Sequence, residues 1–254
     1  MDPPNSENKP DWPPLGGPQD FATTRWSIVL ATGGDRSSAA STKALEQLCR
    51  AYWFPLYVFL RRQGRSPEDA QDLTQSFLAH LLQHDRLQQV APEKGRFRSF
   101  LLASLGNFIC DQLDKANAQK RGGGAKPISW DALEIEERFA LEPADLSDPA
   151  KAFERRWALT LVERAIERLA HENAGDARQR KFDRLRVFLI DAADGDNYAE
   201  VGRDLEMTEG AVKVAVLRLR QRFRVLFREE IAETVSDEAE LEDEMRHIFA
   251  ILNG

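Results

Sequence analysis

The sequence predicts an all-α protein, built as two small helical bundles joined by a flexible acidic linker. Three observations carry that expectation. Apolar residues recur at helical spacing along most of the chain, as in Leu73, Phe77, Leu78, Leu81 and Leu82, and no segment alternates in the manner of a strand. One stretch, "RGGGAKPISWDALEIEERFALEPADLSDPA", interrupts the pattern with three glycines and three prolines. Charge is also arranged in blocks, with each of two basic segments followed by an acidic one.

The N-terminal stretch "MDPPNSENKPDWPPLGGPQD" is rich in proline, glycine and acidic residues, so residues 1–20 are expected to be disordered. It has neither the basic start nor the apolar run of a secretory signal. "ALEQLCRAYWFPLYVFLRR" reads as an apolar helix with Pro55 as a kink. In "SPEDAQDLTQSFLAHLLQHD", Ser66 is placed to cap a helix, Pro67 to open it, and Glu68 and Asp69 to favour its positive end. "RFRSFLLASLGNFICDQLDKANAQKR" supplies a third helix. From Arg96 to Lys126 six basic residues stand against Asp111 and Asp114. Residues 122–150 form the linker, with room for one short helix, and "FERRWALTLVERAIERLAHE" and "RQRKFDRLRVFLIDAA" follow as amphipathic helices.

The most informative run is "AVKVAVLRLRQRFRVLFR", with six basic residues and no acidic one in a chain whose formal net charge is −7. Upstream, "DNYAEVGRDLEMTEG" reads as a short helix opened by Asn197 and Glu200 in a capping box, then a turn holding Met207, then Thr208 as the next cap. A short helix, a tight turn and a long basic helix form the helix-turn-helix pattern. At about 100° per residue, Val212, Val216, Leu219, Phe223 and Leu226 form a core-facing stripe. The opposite face carries Lys213, Val214, Leu217, Arg218, Arg224 and Arg228. Aliphatic tips among cations suit a DNA groove, where methyls are covered while Arg or Lys reaches guanine or phosphate. Lys213, Val214, Leu217 and Arg218 are thus expected to read bases, and Arg220, Arg222, Arg224 and Arg228 to neutralise phosphates. The plain alternative is a solvated basic helix between two packed units.

These residues resemble a known family. "DNYAEVGRDLEMTEGAVKVAVLRLRQRFR" resembles region 4.2 of bacterial sigma factors of the sigma-70 family, extracytoplasmic-function (ECF) group. "YWFPLYVFLRRQGRSPEDAQDLTQSFLAHLL" resembles regions 2.1 and 2.2, and "FRSFLLASLGNFICDQL" regions 2.3 and 2.4. The resemblance implies a region 2-like domain over residues 21–121, a region 4-like helix-turn-helix domain over 151–231, and an acidic C-terminal helical extension over 232–254. It implies an alternative sigma factor that binds core RNA polymerase, recognises a double-stranded −35 element and opens the −10 element. By position, Asp69, Asp72 and Gln75 match the polymerase-facing motif, whereas the spacing of Leu73 and Phe77 marks them as core. Phe100 and Asn107 match positions at the extruded base of the melted strand, and a ring and an amide are suitable types for stacking on and bonding an unpaired base. By spacing alone, Phe97, Phe100 and Phe108 read as bundle core. Arg96, Arg98, Lys115, Lys120 and Arg121 flank the segment as a surface for the −10 backbone. Leu102 and Ala103 depart from the family pattern, as does the Lys213-Val214-Ala215 triplet.

Other functions find little support. No apolar run approaches the ~20 residues of a membrane span. Cys49 and Cys110 form no CxxC pair, which favours a reducing cytoplasm. His80 and His84 with Asp85 lack a third ligand type at metal-site spacing, and "RGGGAK" lacks the spacing of a phosphate loop. No catalytic set is legible, so neither an enzyme nor a cofactor is expected. The alternative function is a stand-alone helix-turn-helix regulator that never meets polymerase. The charge blocks further predict that the linker and C-terminal extension lie over the basic DNA-facing surfaces. Relatives with acidic extensions point to an anti-sigma factor or a kinase as regulator.

Overall fold

The computed structural model describes residues 39–83, 97–118, 130–144, 148–190, 198–232 and 238–253, and among them every regular element is a helix. In chain order these are α1 (Ala39–Arg62), α2 (Pro67–Gln83), α3 (Phe97–Ala118), α4 (Trp130–Ala140) and α5 (Pro149–Glu172). Then come α6 (Asp176–Leu185), the four-residue α7 (Val187–Ile190), α8 (Tyr198–Asp204), α9 (Glu209–Ala232) and α10 (Glu238–Asn253). None of the described helices is long and apolar enough to cross a membrane. The N-terminal tail and the proposed Asn197 cap lie outside the described residues.

Local chemistry explains the helix ends. The Asp69 N–H donates to Ser66 Oγ at 3.1 Å, satisfying one orphan donor at the start of α2. Before it, α1 stops where Gly64 adopts φ +82°, a left-handed conformation suited to glycine. Pro55 lies inside α1, which continues through it to Arg62. α5 opens on Asp148, whose carboxylate accepts from the Ala150 N–H at 2.9 Å, with Pro149 next in line. That "SDPA" signal was present in the sequence, at the end of the expected linker.

The packing differs from two separate bundles. One continuous apolar cluster joins α1, α2 and α3 to α5, α9 and α10. α5 lies at the centre of this arrangement, with α1 as its principal neighbour. Phe153 meets Phe59 edge-on with ring centroids 6.5 Å apart, and Trp157 is buried beside them. Arg156, Trp157 and Ala158 are consecutive and all buried, so the buried face of α5 is unusually wide there, while Lys151 stays exposed on the opposite side. The sequence disguised this because Arg156 looks like a surface residue. Its charge is satisfied by Glu142 at 3.0 Å and by Glu163.

The expected flexible linker is likewise fastened where it is described. In α4, Glu136 accepts from Arg61 Nε and Nη2, both at 2.9 Å, and from the Tyr57 hydroxyl. Arg61 and Arg62 also stand over the Phe139 ring, and Arg62 Nη2 donates to the Pro143 carbonyl at 2.8 Å. Glu136 and Glu142 of this segment therefore serve arginines of α1 and α5.

Candidate nucleic-acid interface

The helix-turn-helix is assembled around a small cluster of its own. Val212 and Val216 of α9 are buried against Leu185, Phe188 and Val201, with Tyr198, Leu205, Met207 and Leu219 around them. α8 ends in a tight cap in which the Met207 N–H donates to the Gly202 carbonyl at 2.8 Å. Glu206 takes φ 54° there, a left-handed position at which a side chain costs about 1 kcal/mol. α9 then opens on Thr208, whose Oγ1 accepts from the Ala211 N–H at 3.2 Å. Gly202 is the residue that sequence reasoning missed. A Cβ on it would stand 2.7 Å from the Met207 carbonyl oxygen, so the turn closes only over a glycine.

This scaffold presents the expected face. Val214 and Leu217 are 49% and 56% exposed, and Lys213 and Arg218 are exposed beside them. Lys213 pairs with Glu209 one turn back at 2.6 Å, an exposed helical pair that a stronger anion readily replaces. Its ammonium also lies 5.6 Å from the centre of the Tyr198 ring. Arg224 is exposed further along.

Three of the cations expected at phosphates have partners within the chain. Arg220 donates to the Phe188 carbonyl from Nε at 3.0 Å and from Nη2 at 2.8 Å, so it ties α9 to the chain around α7. Arg222 donates to both carboxylate oxygens of Glu172, from Nε at 2.8 Å and from Nη2, and fastens α9 to the end of α5. Side-chain hydrogen bonding lowers the Glu172 pKa and raises that of Arg222, in keeping with a settled pair. Arg228 is engaged by Glu242 of α10 at 2.6 Å. Spacing on the helix cannot distinguish these from free cations, because each partner lies at least fourteen residues away.

The first half of the chain needs a larger correction. Arg98, expected at a −10 surface, is only 2% exposed. Its Nη1 is bonded to Glu244 of α10, its Nε lies 3.3 Å from Glu154 of α5, and its guanidinium stacks over Trp157 at 3.9 Å. Burial opposes its charge, but Glu154 and Glu244 outweigh that and raise its pKa. Arg96, Lys120 and Arg121 lie outside the described residues, as does the side chain of Lys115. Phe100 is half-buried against the core, while Asn107 is exposed on the same side of α3 as Ala103. Leu102 is buried, and the Phe108 ring meets that of Phe77 at a tilt with centroids 5.8 Å apart, as core residues do.

Asp69, Asp72 and Gln75 are exposed along one side of α2, whereas Phe77 is buried and Leu73 half-buried. His80 lies against the Phe108 ring at 5.1 Å, and His84 and Asp85 are outside the described residues. The acidic C-terminal helix does not cover the Lys213 and Arg218 face. Two of its carboxylates pair with Arg98 and Arg228, which were themselves expected to face DNA. The chain matches no family model, and neither a curated protein nor a solved structure is significantly similar to it.

Proposed function

We propose that this chain is a DNA-binding protein that reads duplex DNA with the N-terminal half of α9. The observation that carries the reading is the exposed quartet Lys213, Val214, Leu217 and Arg218, held by a helix-turn-helix that buries the opposite stripe. The aliphatic tips suit thymine methyls, and the cations suit guanine or phosphate.

Within that class, the particular function proposed is an alternative sigma factor of the ECF kind. Residues 151–231 would serve as the region 4-like unit for the −35 element, and residues 21–121 as the region 2-like unit. Asp69, Asp72 and Gln75 offer polymerase an exposed polar strip, and Phe100 and Asn107 offer the melted −10 strand a ring and an amide. Polymerase itself supplies the chemistry, so the chain acts in the cytoplasm as a binding factor without a cofactor. An anti-sigma factor or kinase is the expected kind of regulator.

A second reading is favoured by the shared core and by burial of Arg98. A stand-alone regulator would hold its halves together in this way and never open to polymerase. Retention of the purified chain on core RNA polymerase, followed by run-off transcription, separates the two. Promoter-dependent transcripts that require both proteins support the sigma reading. Duplex binding without retention on polymerase favours the regulator. Loss of neither activity in a Lys213→Gln/Arg218→Gln variant would remove α9 from both.

A further inference from the structure

We infer that α6 is a second DNA-contact element, which holds the sugar–phosphate backbone beside the groove that α9 enters. The inference rests on the DNA-binding reading of α9 and adds residues to it.

The cations of α6 are divided between two jobs. Arg180 and Arg184, one turn apart, reach across to Asp204 of α8: Arg180 Nη2 donates to its carbonyl at 3.2 Å, and Arg184 pairs with its carboxylate. They fasten the helix. Arg178 and Lys181 instead line an open groove of about 750 Å3 between α6 and the first half of α9, with Arg218 on its far wall. Arg178, Lys181 and Arg218 have no ion partner among the described residues. The single acidic residue lining the groove, Glu172, is already held by Arg222. Three uncompensated cations thus face one another over a floor that includes Phe182 and Met207.

The occupant follows from charge and dimensions. A helix with its side chains is about 10–12 Å across, and the major groove is about 12 Å wide. A duplex that receives α9 must therefore lay its phosphates against the structures flanking that helix. Val214 and Arg218 belong both to the base-reading face and to the groove wall, so the flank on that side is α6. Arg178 and Lys181, three residues apart on one face, are placed to neutralise successive phosphates.

The test uses the full chain and a short fluorescent duplex, titrated across a range of salt. Arg178→Gln with Lys181→Gln removes two phosphate contacts, so the slope of log affinity against log salt falls in magnitude by about 1.8. Between about 50 and 200 mM salt, the loss of affinity then shrinks by about tenfold. The change is the same on duplexes of unrelated sequence, as backbone contacts carry no sequence information. The charge-keeping swap Arg178→Lys/Lys181→Arg retains the slope, which separates lost charge from lost fold. An unchanged slope in the glutamine variant, with a reduced one in Lys213→Gln/Arg218→Gln, overturns the role of α6 and leaves the α9 reading standing. No salt-dependent duplex binding by the wild-type chain overturns both. Equal capture of poly-glutamate, lost in the glutamine variant, assigns the groove to an acidic peptide and overturns the inference.

Discussion

The guanidinium of Arg98 and the carboxylate of Glu244, 146 positions apart, meet in the interior with side-chain exposures of 2% and 1%. The pair joins α3 to the C-terminal helix. Removing two such charges from water is costly, and the arrangement holds because Glu154 and the face of Trp157 share the same guanidinium. α10 also inserts Leu241 and Ile248 into the shared core. The acidic C-terminal segment therefore acts as a structural brace over the described residues.

Breaking this pair is predicted to be severe. Glu244→Ala leaves Arg98 buried beside a single remaining carboxylate and costs about 3–5 kcal/mol. Replacing both residues together, Arg98→Met with Glu244→Leu, costs much less because no charge is stranded. Urea denaturation of the wild type and the two variants compares these costs, and a double variant as unstable as Glu244→Ala would refute the stranded-charge account. Deleting residues 236–254 lowers stability as Glu244→Ala does, and leaves duplex affinity of the surviving folded chain unchanged, because α10 does not cover Lys213 or Arg218. A rise in affinity on deletion would restore the screening role first expected for this segment.

A pH dependence follows from Glu154. Burial raises its pKa, but Arg98 and then His247 outweigh that and hold it at about 2, against 4.5 for a free glutamate. A depressed carboxylate contributes stability that is complete above the unfolded value and lost as pH falls through the folded one. This contribution is therefore full above about pH 4.5 and disappears toward about pH 2. The variant Glu154→Gln should be less stable at neutral pH and flatter across that window. Thermal melts from pH 2 to 7 check the difference, and parallel curves would show that Glu154 is not the titrating group.

Gly202→Ala tests the turn beneath the reading helix. Alanine improves helix propensity by about 1 kcal/mol, yet its Cβ would stand 2.7 Å from a backbone oxygen that has no flexible way to retreat. Overpacking of this kind costs about 1–3 kcal/mol, so the steric effect dominates. The variant should lose stability and, because α9 is re-aimed, duplex affinity with it. A variant as stable as the wild type would mean that the turn relaxes freely.

Much of the local structure was legible in the residues. The periodicity that marked Val212, Val216 and Leu226 as core also marked Val214 and Leu217 as exposed, because angle around a helix is a property of the sequence itself. The caps at Ser66 and Thr208 were legible for the same reason, as each acts within three residues. The fate of the cations was less readable. Arg98, Arg220 and Arg222 look like surface residues until the folded chain brings Glu244, the Phe188 carbonyl and Glu172 to them.

By itself, then, the sequence determined the helical class, the short helix and turn before a basic helix, and which face of that helix points outward. All of these arise from contacts between neighbours along the chain. Only the tertiary structure decided that α5 packs on α1 in one continuous core, that α4 is pinned through Glu136, and that α6 stands beside α9 with Arg178 and Lys181 unpaired. Such choices depend on which distant surfaces bury one another and which charges then meet. A linear pattern records the charge of an arginine, but its partner is selected by folding.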